Sequence, residues 1–335
     1  MERCRAAIKG IGAYWPEEVI TNDDLAKMVD TSDEWIMTRV GIKQRHIMKD
    51  PAKATAWMGA RAVEELLKKT GTEPEDVDLL ICSTVTPDRH FPATANIISD
   101  MVGIKNAFSF DLNAGCSGFI FGLVTATQYV ENGRYKKVIL VGAEKMTTIV
   151  DYEDRATSPL FGDGAAAVLL EPTTEDVGIV DHLLHSDGIG IKYLYMEAGG
   201  SLNPPSAETV EKRKHYIIQD GPHVFKHAVS KMADVSCEMM ERNNLKAEDL
   251  AWLIPHQANL RIIDATAKRM GLDPAKVMIN IERFGNTTAA TIPLCIYEWE
   301  PRLRKGDNII LAAFGAGFTW GSVYLKWAYD YKGLN

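Results

Sequence analysis

"FSFDLNAGCSGFIFGL", residues 108–123, alternates apolar and polar positions, pauses on small residues around one cysteine, and resumes as an apolar helical pattern. Strand periodicity gives way to helix periodicity at Cys116. Two readings of that thiol compete. A lone cysteine is commonly a small buried apolar residue. At a helix start, however, unpaired backbone N–H groups and the helix dipole favour a thiolate, and with it a nucleophile. The rest of the chain has to decide between them.

The 335 residues are more than one typical core organises and suit two domains or a duplicated one. A content of 46% hydrophobic and 24% charged residues describes a packed globular body. The formal net charge of −8 argues against nucleic acid as a principal partner. The opening "MERCRAAIKGIGAYWPEEVI" lacks the apolar core of a signal peptide, and no uncharged run reaches the roughly 20 residues of a membrane span. The five cysteines, Cys4, Cys82, Cys116, Cys237 and Cys295, are scattered without a C-x-x-C pair, which argues against a disulfide framework or a zinc site. The expectation is a soluble cytoplasmic protein with reduced thiols, no metal and no membrane contact.

Outward from Cys116 the chain repeats itself once. "EPEDVDLLICSTVT" (73–86) resembles "KAEDLAWLIPHQAN" (246–259). "SDMVGIKNAFSFDLNAGCSG" (99–118) follows the outline of "AKRMGLDPAKVMINIERFGNTT" (267–288), each with a helix end at glycine, a strand and small residues. "GRYKKVILVGAE" (133–144) pairs with "LRKGDNIILAAFGAG" (303–317). Matching points lie about 170 residues apart, in the same order. Each half alternates short apolar strands, such as "VDLLICSTV", "KKVILVGAE" and "GAAAVLLEP", with amphipathic helices such as "ATAWMGARAVEELLKKTG", which ends at Gly71. The expected fold class is therefore layered α/β, with two pseudo-symmetric halves, residues 1–175 and 176–335. The Gly-, Pro- and charge-rich segment 186–216 fits neither half and reads as a surface excursion near an entrance or a long loop.

Duplication places chemistry at equivalent points. Asn286, in "RFGNTTAATIPL", occupies the junction matching that of Cys116, so two helix starts face each other, one with a thiol and one with a carboxamide. His256 closes the apolar strand of "WLIPHQANLRII", ahead of a helix capped by Asn259, and its counterpart falls near Ser83. A thiol nucleophile needs an imidazole to accept its proton and neutral N–H donors for developing oxygen charge, and these three residue types supply them.

These motifs resemble the thiolase-fold condensing enzymes, and within them the β-ketoacyl-acyl carrier protein synthase III family. The resemblance runs over essentially the whole chain, through "DEWIMTRVGIKQRH", "AGCSGF", "FGDGAAA", "IPHQANLRI", "FGNTTAATIP" and "FGAGFTWGS". It implies a thiolase-like fold with Cys116 acylated by an acyl-CoA, acetyl-CoA by default, and then condensed with malonyl-acyl carrier protein. His256 and Asn286 are the implied partners. The backbone N–H groups of Cys116 and Ala316 are the implied oxyanion hole, with Gly317 as the alternative second donor. Asn286, rather than a second cysteine or histidine, favours this branch over thiolases and elongating synthases. Trp35, Arg39 and Arg155 are the implied CoA contacts. Phe91 and Leu160 are the implied acyl-pocket residues, Phe91 reaching across a homodimer interface. Pro222, in "GPHVFK", stands where the family has an asparagine for the CoA arm, and His223 is the candidate substitute. "FGDG" (161–164) reads as a structural turn. Arg261, Lys268 and Arg269, with Lys226 beside them, form the expected docking patch for the acidic carrier protein. No resident cofactor is expected, since acyl-CoA and the malonyl carrier protein are substrates. The rival readings are a Cys-His-Asn hydrolase of the papain type, a related condensing enzyme such as a hydroxymethylglutaryl-CoA or polyketide-starter synthase, and a non-catalytic relative.

Overall fold

The sequence repeats fold as two sheets of matching topology. The structure, a computed structural model, describes residues 4–333. Strands β1 (Arg5–Tyr14), β2 (Leu79–Ser83), β3 (Phe108–Leu112), β4 (Val138–Lys145) and β5 (Asp163–Thr173) form the first sheet in the order β1-β5-β4-β2-β3. Strands β6 (Gly178–Ser186), β7 (Trp252–Pro255), β8 (Asn308–Gly315) and β9 (Thr319–Lys326) form the second in the order β6-β9-β8-β7. Pairing directions agree as well: β1–β5 and β5–β4 are antiparallel, like β6–β9 and β9–β8, while β4–β2 is parallel, like β8–β7.

One expected strand is nearly lost. Where the first sheet has β3, the second has a single parallel bridge from Leu253 to Val277. The physical reason lies in Gln257, whose buried side-chain oxygen takes the N–H groups of Asn280 and Ile281 at 3.0 and 3.2 Å. The chain then turns into a short helix at Ile281–Phe284 instead of extending a ladder.

The helices that the site depends on are α1 (Asp33–Val40), α2 (Thr55–Thr70), α3 (Gly118–Glu131), α4 (Gly221–Arg242), α5 (Leu260–Met270) and α6 (Thr291–Trp299), while Thr94–Met101 packs beside α2. Helices α3 and α6 lie between the sheets. Phe119 and Leu123 of α3 and Ile292 of α6 share one core with Leu140 of the first sheet and Leu311 and Val323 of the second. That burial on all sides explains why "GFIFGLVTATQYV" carries no polar stripe. Helix α2 covers the outer face of the first sheet, where Val63 and Leu66 meet Ile139 and Val141. Helices α4 and α5 cover the second, with Met232, Met239 and Ile263 against Ile310 and Ala312. Neighbours on β4 thus face opposite cores, and strands buried on both faces read as unbroken apolar runs. Helix α2 ends at Gly71 with φ +63°, a left-handed cap that glycine adopts without strain.

The 186–216 excursion is structured. It contains a short helical turn at Gly188–Lys192, a strand at Leu194–Met196 paired with Ile217–Gln219 just beyond the segment, and a helical turn at Ala207–Glu211. The N–H of Ile217 donates to Ile149 O at 2.8 Å, and Arg213 pairs with Asp151, so the segment is anchored to the loop after β4. Among the described residues, no helix is long and apolar enough to cross a membrane.

Candidate active site

Cys116 sits in a single 3-10 turn (Gly115–Ser117) between β3 and α3. Gly115 has φ +55°, and a Cβ there would lie 2.9 Å from both N and O of Ala316, so only glycine lets the two loops touch. The thiol is not a resting thiolate. Burial, and then the charge of nearby Glu144, push its pKa up to about 12, while the Ala316 N–H, the Thr288 hydroxyl and its own N–H pull weakly the other way. This corrects the thiolate reading: withdrawal from water outweighs the helix start.

His256 follows β7 directly, its N–H held by Ala312 O at 2.8 Å. The ring is buried and lowered by that burial to about 3, so it is neutral at ordinary pH. Nδ1 lies 2.6 Å from the Thr291 hydroxyl, and Nε2 is buried without a protein partner. Neutral thiol and neutral imidazole share one environment that opposes charge on either.

Asn286, like Cys116, leads into a 3-10 turn (Thr288–Ala290) and then a helix, α6, although no full strand precedes it. Its backbone is clamped by the other half of the molecule: its N–H donates to Leu160 O at 2.9 Å, and its carbonyl accepts from Gly162 N–H at 3.1 Å. Its side-chain oxygen accepts the Thr288 N–H at 2.9 Å, which leaves the carboxamide N–H groups to face outward as donors. The "FGDG" segment is therefore more than a turn. Phe161 and Gly162 hold Asn286, and buried Asp163 accepts from Met48 N–H, Thr147 N–H and the Thr147 hydroxyl at 2.7–2.9 Å.

All three side chains, with Ala316 and Gly317, line one cavity of about 890 Å³. The Thr288 hydroxyl on its wall is buried beside the Cys116 thiol, and His256 Nε2 is buried without a protein partner. An unpaired buried ring nitrogen on a cavity wall marks a place built to meet a ligand.

Comparison with known proteins gives the family. Residues 110–188 match the model described as 3-oxoacyl-[acyl-carrier-protein] synthase III, and residues 240–327 match its C-terminal counterpart. The chain is 55% identical over 332 residues to β-ketoacyl-[acyl-carrier-protein] synthase III 2 of Bacteroides thetaiotaomicron, covering 99% of both chains. It is also 55% identical over 330 residues to the synthase III of Porphyromonas gingivalis, covering 98% of each. The solved 3-oxoacyl-[acyl-carrier-protein] synthase III of Aquifex aeolicus superposes with a TM-score of 0.89 at 39% identity, covering 96% of this chain and 100% of that one. The chain belongs to the β-ketoacyl-acyl carrier protein synthase III family. Its fold is the thiolase-like one, and it is an acyltransferase of the condensing type.

The remaining residues singled out for a synthase III fall in two places. Trp35, Arg39 and Leu160 line the cavity. Arg39 and Arg155 stand 5.8 and 5.4 Å from the Trp35 ring, and Arg155 also pairs with Asp30 at 3.0 Å. Arg261 lies at the mouth, 4.7 Å from the Phe225 ring, and the helix α5 behind it is capped by Asn259, which accepts the Arg261 N–H at 2.9 Å. Lys226 and Lys268 are exposed. Arg269 is also exposed but pairs with Asp234 at 2.7 Å, and acidic Asp264 shares the exposed side of α5, so the patch is less positive than the spacing suggested. Phe91 is 85% exposed and does not line its own cavity.

Pro222 lines the cavity, and His223 beside it does not. Its ring stacks on Tyr193 at 4.8 Å and its Nδ1 lies 2.9 Å from Asp220. Gln219, on the strand just beyond the excursion, is the carboxamide that does line the cavity nearby. The sequence reading also missed Gln257, Thr291 and Phe314. Gln257 ties "HQAN" to 278–281, and Phe314 lines the cavity. All three sat inside quoted motifs, close to residues chosen for their chemistry, and only contacts distinguish them.

Proposed function

We propose that this synthase III chain condenses an acyl-CoA primer, acetyl-CoA by default, with malonyl-acyl carrier protein and so initiates fatty acid synthesis. The observation that carries the reading is the convergence of a neutral thiol, an unpartnered imidazole nitrogen and an oriented carboxamide on one cavity. Residues 1–175 contribute Cys116, and residues 176–335 contribute His256 and Asn286. Cys116 sulfur attacks the acyl-CoA thioester while its proton passes to His256 Nε2. The tetrahedral oxyanion is met by the N–H groups of Cys116 and Ala316, the carbonyl–sulfur bond to CoA breaks, and the departing sulfur takes the proton.

In the second half, malonyl-acyl carrier protein loses CO2 and the electron pair moves onto its thioester oxygen. Asn286 Nδ2 donates to that oxygen, with His256 as a second donor while Nε2 holds the solvent proton that afterwards restores the Cys116 thiol. The resulting carbon attacks the Cys116 thioester, a C–C bond forms, the C–S bond breaks, and one proton from solvent restores the thiol. Trp35, Arg39 and Arg155 hold CoA by stacking and charge. Arg261, Lys226 and Lys268, with Arg269 at the margin, receive the acidic carrier protein. The unpaired edge of β3, with Phe108 40% exposed, supports a homodimer in which Phe91 of each protomer enters the acyl pocket of its partner. No resident metal or cofactor enters this scheme, and we place the enzyme in the cytoplasm.

The test is intact-protein mass after incubation with a panel of acyl-CoAs, followed by malonyl-acyl carrier protein. The reading requires an acyl adduct that is absent in Cys116→Ser and is discharged as a 3-ketoacyl product. Discharge as free acid would point to a thioesterase instead.

A further inference from the structure

His256 can serve a thiol only through a bare ring nitrogen, and which nitrogen is bare depends on what the other one does. Nε2 has no protein partner. Nδ1 has one neighbour within hydrogen-bond reach, the Thr291 hydroxyl at 2.6 Å, and that hydroxyl lies 3.0 Å from Thr288 O. A hydroxyl has one proton to give. A carbonyl oxygen can only accept, so if the Thr291 proton pointed at Nδ1, two oxygens would face each other at 3.0 Å with nothing between them. With the proton directed at Thr288 O, the hydroxyl oxygen is free to accept from Nδ1–H, and hydroxyl, carbonyl and Nδ1 are all satisfied.

We infer that Thr291 is a positioning residue that fixes the tautomer of His256: by donating to Thr288 O and accepting from Nδ1–H, it leaves Nε2 as the bare nitrogen facing the cavity. Both the hydroxyl and the ring are buried, so no water competes for either contact. Thr291 opens α6, the helix whose start faces Cys116, so the residue that sets the tautomer and the helix that orients it are one element. Asn286 and His256 thereby present opposite polarity in the resting site, the carboxamide as donor and the imidazole as acceptor. Nε2 becomes the one ring position at which a proton is gained and lost: it takes the Cys116 proton as the C–S bond to the primer forms, and returns it to the CoA sulfur as the old C–S bond breaks. Throughout, the Nδ1 proton stays on the ring and directed at Thr291. Without the hydroxyl, the neutral ring is free to place its proton on Nε2, where it blocks attack.

This inference rests on the proposed role of His256 toward Cys116, but it has a readout of its own. Nitrogen-15 NMR of the full-length protein labelled at histidine distinguishes a ring protonated at Nδ1 from one protonated at Nε2, with no substrate present. The wild type, with resonances assigned by His256→Asn, is expected to show a protonated Nδ1. Thr291→Val, which keeps the shape and removes the hydroxyl, is expected to move the proton to Nε2 and to slow formation of the acyl-enzyme about 100-fold. Its KM for acyl-CoA should change little. Thr291→Ser is expected to restore both the spectrum and the rate to within about threefold of wild type. A wild-type ring protonated at Nε2, or equal loss of rate in the valine and serine variants, would overturn the inference. Failure of wild-type Cys116 to be acylated at all would instead sink the proposed function, while the spectrum still reports the tautomer.

Discussion

Gly315 lies directly against Cys116: a Cβ at Gly315 would stand 2.6 Å from both the backbone nitrogen and the Cβ of Cys116. Backbone packs on backbone here because the N–H groups of 116 and 316 have to point at one reacting atom. Two glycines, 115 and 315, one from each half, make that approach possible. Gly315→Ala is expected to displace the nucleophile and reduce acylation at least about 100-fold. The overpacking should cost about 1–3 kcal/mol of stability. Acyl-adduct formation followed by mass, beside a thermal melt, separates the two effects. Wild-type acylation would show that the contact is slack.

Asn286→Ala should uncouple the half-reactions. The acyl adduct on Cys116 still forms, but loss of an oriented donor costs about 3 kcal/mol in the decarboxylation step, roughly a 100-fold decrease. CO2 release from malonyl-acyl carrier protein by the pre-acylated enzyme is the measurement. A variant defective in adduct formation alone would contradict the assignment.

His256 also leaves a signature in stability against pH. Its folded pKa, about 3, lies below the ordinary 6.5 because burial opposes the charged ring. Between those values the unfolded chain binds a proton that the folded chain does not, so this contribution is complete above 6.5 and is lost as pH falls toward 3. Acidification from about 6.5 to about 5 should cost about 2 kcal/mol through this group. Glu144, raised to about 7 by its own burial, works in the opposite direction, so the difference between wild type and His256→Asn is the informative quantity. Denaturant titrations at several pH values measure it. Parallel pH curves for the two proteins would show that burial does not hold the ring neutral.

Charge reversal at Arg261 is expected to raise the KM for malonyl-acyl carrier protein several-fold, with a steeper effect at low salt, and to leave acylation by acyl-CoA nearly intact. Arg269→Glu should do less, because Arg269 is already paired with Asp234. Equal loss in both half-reactions after Arg261→Glu would remove α5 as the docking helix.

The sequence by itself determined the layered α/β class and the internal duplication, because strands buried on both faces and helices of regular amphipathic period announce themselves locally. It also singled out Cys116 and Asn286, which begin elements at matching junctions of the repeat, and His256, which ends an apolar strand. Polarity was beyond its reach. Whether Cys116 rests as thiol or thiolate depends on burial and on Glu144, which is 28 residues away in the chain. Whether His256 accepts or donates depends on Thr291, which looked like any helix-start residue. Whether Arg269 is free depends on Asp234, on another helix. "FGDG" read as a turn because its partner, Asn286, lies more than 100 residues downstream. Local propensity and spacing are written in neighbouring residues, but pKa values, tautomers and ion pairs are set by groups that only the packed chain brings within a few ångströms, where loss of water makes each contact decisive.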